Sequence, residues 1–243
     1  MPRSRKTEPR IWEQTFLLNH FILKAINEQI EKRYPVGWSG RILDVGCGSL
    51  PYRKLFQGRY SEYVGCDQFP VNGSVVQCPA DDLPFPDNEF DSVVCFQVLE
   101  HVPRPWAVVA EVKRVLKPGG LFLATVPFIF PHHPSPTDFY RFTHEGLAQL
   151  ALEAGLEIEE ITVQCRSLTT ICLLMNWYNG MIVTKLRKRV FTRPFAYIYQ
   201  LLMVIPLNIL GLVLDKIPLG RNHRINNMGF SNYLLIARNV ATD

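Results

Sequence analysis

The stretch "ILDVGCG" ends an apolar run in Asp44 and then places glycine at 46 and 48. Without a Cβ, Gly46 and Gly48 let backbone approach a ligand closely. Further along, "YVGCD" ends in Asp67, where a carboxylate can accept hydrogen bonds from the two ribose hydroxyls of a nucleoside. Asp81 and Asp82 precede "LPFPDNEFD", where a third strand end would meet the base. One glycine-and-acid turn is an ordinary connector, but three in register at consecutive strand ends point to a ligand.

A second concentration of reactive groups lies in "PFIFPHHPSPTDFYRFTHEGL", which holds His132, His133, Asp138, Tyr140, Arg141 and His144 within thirteen residues. His133 is the candidate base, or the group that orients a second substrate. Asp138, Tyr140 and Arg141 are candidates to bind that substrate's polar groups or to staple the loop. A metal held by His132, His133 and Asp138 is not expected, because adjacent histidines point in different directions.

These residues need a scaffold that brings strand ends together. "RILDVGC", "YVGCD", "FDSVVCF" and "GLFLATV" are short apolar runs without strict alternation. Such runs suit strands buried on both faces of a parallel sheet. "LEIEEITVQ" and "NYLLIARN" read as further strands. "IWEQTFLLNHFILKAINEQIEKRY" carries Leu18, Ile22, Ile26 and Ile30 at helical spacing, a stripe that would pack on the sheet. "PRPWAVVAEVKRVL" predicts a helix with Trp106, Val109, Val112 and Leu116 on one face, ended by "KPGG". A third helix starts from a Thr143 cap and stops at Gly155. The fold class is α/β, a Rossmann-like doubly wound sheet.

Composition narrows the function classes. With 47% hydrophobic and 20% charged residues over 243 positions, the chain can bury a sizeable core. A net charge of +4 is too mild for a general nucleic-acid binder. The six cysteines lack a C-x-x-C pair, which argues against a disulfide scaffold or structural zinc and fits a cytoplasmic setting. The basic start "MPRSRKTEPR" does not read as a secretory signal.

Together, "ILDVGCGSLPY", "YVGCD", "ADDLPFPDNEFDSVVCFQVLEHV" and "EVKRVLKPGGLFLATVPF" resemble the class I S-adenosylmethionine-dependent methyltransferases, in the small-molecule "type 11" branch. The resemblance runs from about Gly40 to Glu160 and implies a seven-stranded sheet of order 3-2-1-4-5-7-6 with an antiparallel last strand. It implies S-adenosyl-L-methionine as cofactor. Gly46, Cys47 and Gly48 match the turn under its methionine part, and Asp44 the acid that orients the turn. Asp67 matches the ribose acid, with Gln68 beside the adenine and Gln97 near the cofactor at the fourth strand. Glu100, His101 and Lys117 to Gly120 match positions that are mostly structural.

The sequence departs from the family pattern twice. "SLPY" supplies no third glycine, and Pro79 stands where the adenine-binding acid is usual, so Asp81 or Asp82, next to Leu83, would have to serve. The histidine-rich segment also resembles the "H-x-x-P-x-D-F-Y-R-F/Y-T" stretch of some bacterial methyltransferases associated with surface-glycan pathways. A nicotinamide-dependent oxidoreductase is the rival enzyme reading, but its G-x-G-x-x-G phosphate cradle is missing. A non-catalytic membrane-associated scaffold of the same fold is the rival from another class.

Residues 167–230 interrupt the α/β rhythm before the last strand. The apolar segments "SLTTICLLMNWYNGMIVT" and "FAYIYQLLMVIPLNILGLVL" flank "KLRKRVFTR", and no acidic residue occurs between Glu160 and Asp215. The second is nominally long enough to span a bilayer. A spanning pair would carry its basic loop away from a cytoplasmic catalytic domain, against the positive-inside tendency. Pro206, Asn176, Asn179 and Gln200 also weaken a spanning reading. In-plane helices on the inner membrane face, a hydrophobic lid and a dimer interface are the expectations left open. The organisation expected is one domain: a basic tail and helix (1–39), a cofactor-binding core (40–166), the apolar and basic insertion (167–230), and the last strand and tail (231–243). The expected reaction is methyl transfer, by in-line displacement, to an oxygen of a small-molecule, glycan or lipid-linked acceptor.

Overall fold

The computed structural model describes residues 8–70, 73–133, 137–188, 190–217 and 231–240. The basic tail at 1–7, the end of the expected insertion at 218–230 and the last three residues lie outside the described residues.

The apolar runs form β1 (Arg41–Val45), β2 (Glu62–Asp67), a short β3 (Val76–Gln77), β4 (Phe90–Phe96), β5 (Leu116–Pro127), β6 (Leu156–Gln164) and β7 (Asn232–Asn239). They make one seven-stranded sheet of order β3-β2-β1-β4-β5-β7-β6. β1 to β5 pair in parallel, and β7 runs antiparallel to both β5 and β6. This is the order that the resemblance implied.

Burial explains why the inner strands do not alternate. Leu43, Val93, Cys95, Phe122 and Ala124 face a core shared with α2 (Pro105–Val115) and α3 (His144–Glu153). Ile42, Val94, Phe96, Leu123 and Ile236 face the other way, against Ile22, Ile26 and Ile30 of α1 (Phe16–Arg33). Both faces are dry, so most positions are apolar.

The second helix differs from its expected face. Val108, Val109, Val112 and Val115 are buried, Trp106 is exposed, and Leu116 already belongs to β5. Pro105 at the first helical position fixes where the helix begins, which turns Trp106 outward. "KPGG" does not end a helix; it bulges within β5, with Gly119 at φ +79°, between the Phe90–Leu116 and Ser92–Leu121 pairs. At α3 the Thr143 hydroxyl accepts from the Gly146 amide (3.0 Å). Gly155, at φ +78°, follows the helix.

Between β6 and β7 the chain forms α4 (Ser167–Arg187), α5 (Arg193–Tyr199), a π turn (Gln200–Val204) and α6 (Ile205–Leu214). The π turn precedes Pro206, which has no amide hydrogen to give the helix ladder. α4 and α6 pack together, and both meet the start of α1, where Leu17 and Phe21 contact Cys172 and Leu173. The asparagines that argued against spanning form the seam of this hairpin. Asn176 donates to Asn208 Oδ1 (2.8 Å), Asn179 donates to Asn176 Oδ1 (3.3 Å), and the Tyr199 hydroxyl donates to Asn179 Oδ1 (2.8 Å).

Candidate active site

The turn after β1 sits at the carboxyl end of the central strand, between β2 and β4. Gly46 (φ +67°) and Gly48 (φ +55°) both adopt the left-handed conformation. The Gly46 and Cys47 amides donate to the Cys66 carbonyl (2.8 and 3.1 Å), which ties the turn to β2. A Cβ on Gly46 would stand 2.5 Å from Val98 Cγ2, whereas one on Gly48 would meet nothing within 4 Å. The Gly46→Ala variant should therefore lose about 2 kcal/mol of stability in urea unfolding, from backbone strain and overpacking together.

Asp44 is buried and accepts a hydrogen bond from the Tyr63 hydroxyl (2.8 Å), so it braces the turn from below. Burial, with the Asp44 charge beside it, pushes the Tyr63 phenol well above its ordinary range. Asp67 ends β2 and accepts from the Gly48 amide (2.8 Å) and the Phe69 amide (2.8 Å). One carboxylate thus orders the glycine turn and the strand end while it remains partly exposed.

Other positions expected at the cofactor stand differently. Cys47 is buried with its thiol directed at the Gly48 carbonyl (3.9 Å), and burial pushes that thiol well above the ordinary range. Gln68 is exposed, and its carbonyl accepts from Gln77 Nε2 (3.4 Å). Asp81 is engaged by Arg104 (2.6 Å), whereas Asp82 is exposed. Leu83 is a core residue whose amide donates to Glu111 (2.8 Å). Gln97 has φ +56°, unusual for a side chain with a Cβ. Its amide and side chain bond to the Thr125 carbonyl (2.8 Å) and hydroxyl (3.2 Å), which hold it between β4 and β5. Strain retained at a strand end is characteristic of functional sites.

The histidine-rich loop follows β5. Asp138, with its side chain 1% exposed, accepts from Arg141 through both carboxylate oxygens (2.6 and 2.7 Å) and from the His133 amide (2.9 Å). Arg141 also donates to the Phe130 carbonyl (3.0 Å) and the Pro131 carbonyl (3.1 Å). The Tyr140 hydroxyl donates to the Pro103 carbonyl (3.0 Å). Asp138, Tyr140 and Arg141, expected as catalytic groups, are thus committed to holding the loop. The Arg141 guanidinium keeps the Asp138 carboxyl well below its usual range.

Stability gained this way is present above the unfolded carboxyl pKa of about 3.9 and lost as pH falls through the depressed folded value. Asp138→Asn should cost about 3 kcal/mol at pH 7, near the low end for breaking a buried pair because Arg141 is partly exposed. Urea unfolding should show the gap from wild type closing as pH drops below about 3.9.

His133 is what this staple positions. Its Nδ1 lies 3.1 Å from the Pro131 carbonyl, 3.4 Å from Asp138 Oδ2 and 3.3 Å from the Arg141 guanidinium. The carbonyl and carboxylate favour a proton on Nδ1, whereas the Arg141 guanidinium can only donate to that nitrogen. Burial lowers its pKa; the Pro131 carbonyl and Asp138 oppose the shift, and His101 and Arg141 add to it.

Two residues that sequence reading placed among structural positions join His133. Glu100 is buried, and Glu100, His101 and His133 each bring one ligand atom within 4.8 Å of the others. Their chemistry could hold a divalent cation. His132 and Asp138 do not belong to this group. The "LEHV" motif was the available signal, but its proximity to His133 depends on the fold.

The methyltransferase domain family matches residues 43–124. The ubiquinone biosynthesis O-methyltransferase of Thiobacillus denitrificans is 41% identical over 91 residues, 30% of this chain and 39% of that protein. An uncharacterized methyltransferase of Mycobacterium sp. strain KMS is 38% identical over 90 residues, 33% of this chain and 36% of that protein. The match thus spans little more than a third of these curated relatives.

Among solved structures, the [4+2]-cyclase SpnF shares the fold with TM-score 0.59 and 20% identity over 90% of this chain and 82% of that one. Phosphoethanolamine N-methyltransferase 2 of Haemonchus contortus, solved with S-adenosyl-L-methionine, gives TM-score 0.53 and 16% identity over 95% and 57%. Residues 43–124 thus match a methyltransferase domain, and the chain shares its fold with solved methyltransferases.

Proposed function

We propose that the chain transfers a methyl group to a hydroxyl oxygen of a glycan or lipid-linked glycan acceptor, at the cytoplasmic face of a membrane. The observation that carries this reading is the placement of His133. It stands on the loop after β5 with its ring partly exposed, beside Glu100 and His101 of the turn that follows β4.

The residues present fit the cofactor. The open space at the Gly48 Cα and the partly exposed Asp67 carboxylate make the cradle, with Asp44 bracing it from below. Asp67 would take the ribose hydroxyls, and Gly46 and Gly48 would pass backbone under the methionine part. Asp82 is the better candidate near the adenine, because Arg104 already holds Asp81. When bound, S-adenosylmethionine supplies a methyl activated by its sulfonium, so the acceptor oxygen gains the methyl as the S–C bond breaks and its proton leaves to a base.

His133 Nε2 receives that proton. Asp138 holds the His133 backbone and faces its Nδ1, and Arg141 packs beside the ring. Glu100 places a carboxylate near the ring cluster, which favours the imidazolium formed as the proton arrives. Tyr140 and Arg141 fix the loop so that the acceptor is positioned against the strand ends, where alignment is worth up to about 7–11 kcal/mol.

The nicotinamide alternative fares worse. The chain after Gly48 enters a short 3₁₀ turn at Arg53–Phe56, not the long helix whose N-terminus would hold a pyrophosphate. Purified protein incubated with methyl-labelled cofactor and either free or lipid-linked glycan fractions tests the proposal. Label recovered as an alkali-stable methyl ether is the expected result; label in neither fraction from a cofactor-binding protein would overturn it.

A further inference from the structure

The hairpin of α4, α5 and α6 leaves a large apolar surface uncovered. On α4, Ile171, Met175, Tyr178 and Ile182 form one exposed stripe at helical spacing. Phe195, Ile198, Leu202, Ile209 and Val213 continue it along α5 and α6, and Phe191 at the tip is 92% exposed. A contiguous apolar face of this kind marks a contact surface. Its basic groups concentrate at the tip, where Lys185, Arg187, Lys188 and Arg193 are exposed.

Length and composition would let Val190–Leu214 cross a membrane, but its packing prevents that here. Gln200 donates to the Trp12 carbonyl (2.9 Å), and Asn208 donates to the carbonyls of Ile11 (2.6 Å) and Glu13 (3.0 Å). A Cβ on Gly211 would stand 2.6 Å from Leu17. The helix is bound to the domain from Gln200 to Gly211, so only its outer side is free to meet an apolar phase. The inner side carries the asparagine seam and the contacts to α1.

We infer that the outer face of this hairpin is an in-plane docking surface for an anionic lipid bilayer. Apolar side chains would enter the acyl boundary while the tip cations meet headgroup phosphates. The absence of any acidic residue between Glu160 and Asp215 suits a negatively charged partner. A second copy of the chain would have to bring four like charges near its own.

The surface also reaches the acceptor loop. Trp177 of α4 packs edge-on against Phe130 (centroids 4.8 Å apart), and Phe130 packs edge-on against His133 (5.0 Å). The hairpin therefore borders the proposed base. This arrangement deepens the proposed reading, on which it rests only for the acceptor's chemistry: a lipid-linked hydroxyl would be offered from the bilayer plane.

The test is co-sedimentation of the full chain with vesicles of neutral phosphatidylcholine, or of phosphatidylcholine with phosphatidylglycerol, alongside analytical ultracentrifugation without lipid. Wild type should partition onto both, more strongly onto the anionic vesicles, with high salt removing the difference. Phe195→Glu with Leu202→Glu should weaken partition about 100-fold or more, since two exposed side chains lose their apolar burial. Lys185→Gln with Lys188→Gln should lose about 30-fold on anionic vesicles and little on neutral ones. Unchanged thermal unfolding and cofactor titration would confirm that these variants fold. Wild type that ignores both vesicles, as a dimer dispersed by the glutamates or as a stable monomer, would overturn the inference. Vesicle binding does not require methyl transfer, so failure of one leaves the other standing.

Discussion

Asp67→Ala should lose about 100-fold or more in affinity for S-adenosylmethionine and S-adenosylhomocysteine, measured by calorimetric titration of protein shown to be folded. Removing two hydrogen bonds to a carboxylate, each worth about 1.5–3 kcal/mol, accounts for that size. A further loss arises within the protein, because Asp67 also holds the Gly48 and Phe69 amides (2.8 Å each) that shape the turn. Asp67→Asn separates the two contributions. An amide oxygen can still accept from one of those amides, so the asparagine variant should retain the turn but bind the cofactor weakly. Affinity unchanged in Asp67→Ala would remove Asp67 from the cofactor site.

The second large effect concerns His133. His133→Ala should lower kcat by about 10²–10⁴-fold, the range for losing a positioned base, with cofactor affinity unchanged. The pH dependence is the sharper readout. Only the neutral ring can accept the proton, and burial lowers the His133 pKa. The ring therefore remains neutral to lower pH than an ordinary histidine, and the acid limb of kcat/KM should have its midpoint below about 6.5. That limb should vanish in His133→Ala. An acid limb that survives in the variant would assign it to another group, and full activity would remove His133 from catalysis.

The glycine turn and its acids, proposed to hold the cofactor, were legible because they answer local backbone requirements. A strand that must end in a tight, ligand-facing turn shows glycine at the left-handed positions, as at Gly46 and Gly48. Its acids, Asp44 and Asp67, come at the ends of the strands that the apolar runs reveal. Leu83 proved to be a core residue, which an apolar residue beside a loop does not reveal along the chain. Trp106 misled, since the helix face depended on where Pro105 set the start.

The acceptor half needed tertiary structure. Nothing in the order of residues showed that Asp138, Tyr140 and Arg141 would serve the loop itself, through carbonyls at Phe130, Pro131 and Pro103. Nor did it show that Glu100 and His101 would meet His133, more than thirty positions away, because that contact arises only when the loops after β4 and β5 fold over adjacent strand ends.

The insertion divides in the same way. Sequence by itself determined that 167–214 is apolar, helical and free of acidic residues, since length and composition settle those. Only the fold decided which side is covered. Asn176, Asn179 and Asn208 turn inward because buried amides must find hydrogen-bond partners. The apolar stripe is left outside because the α1 segment satisfies the opposite face.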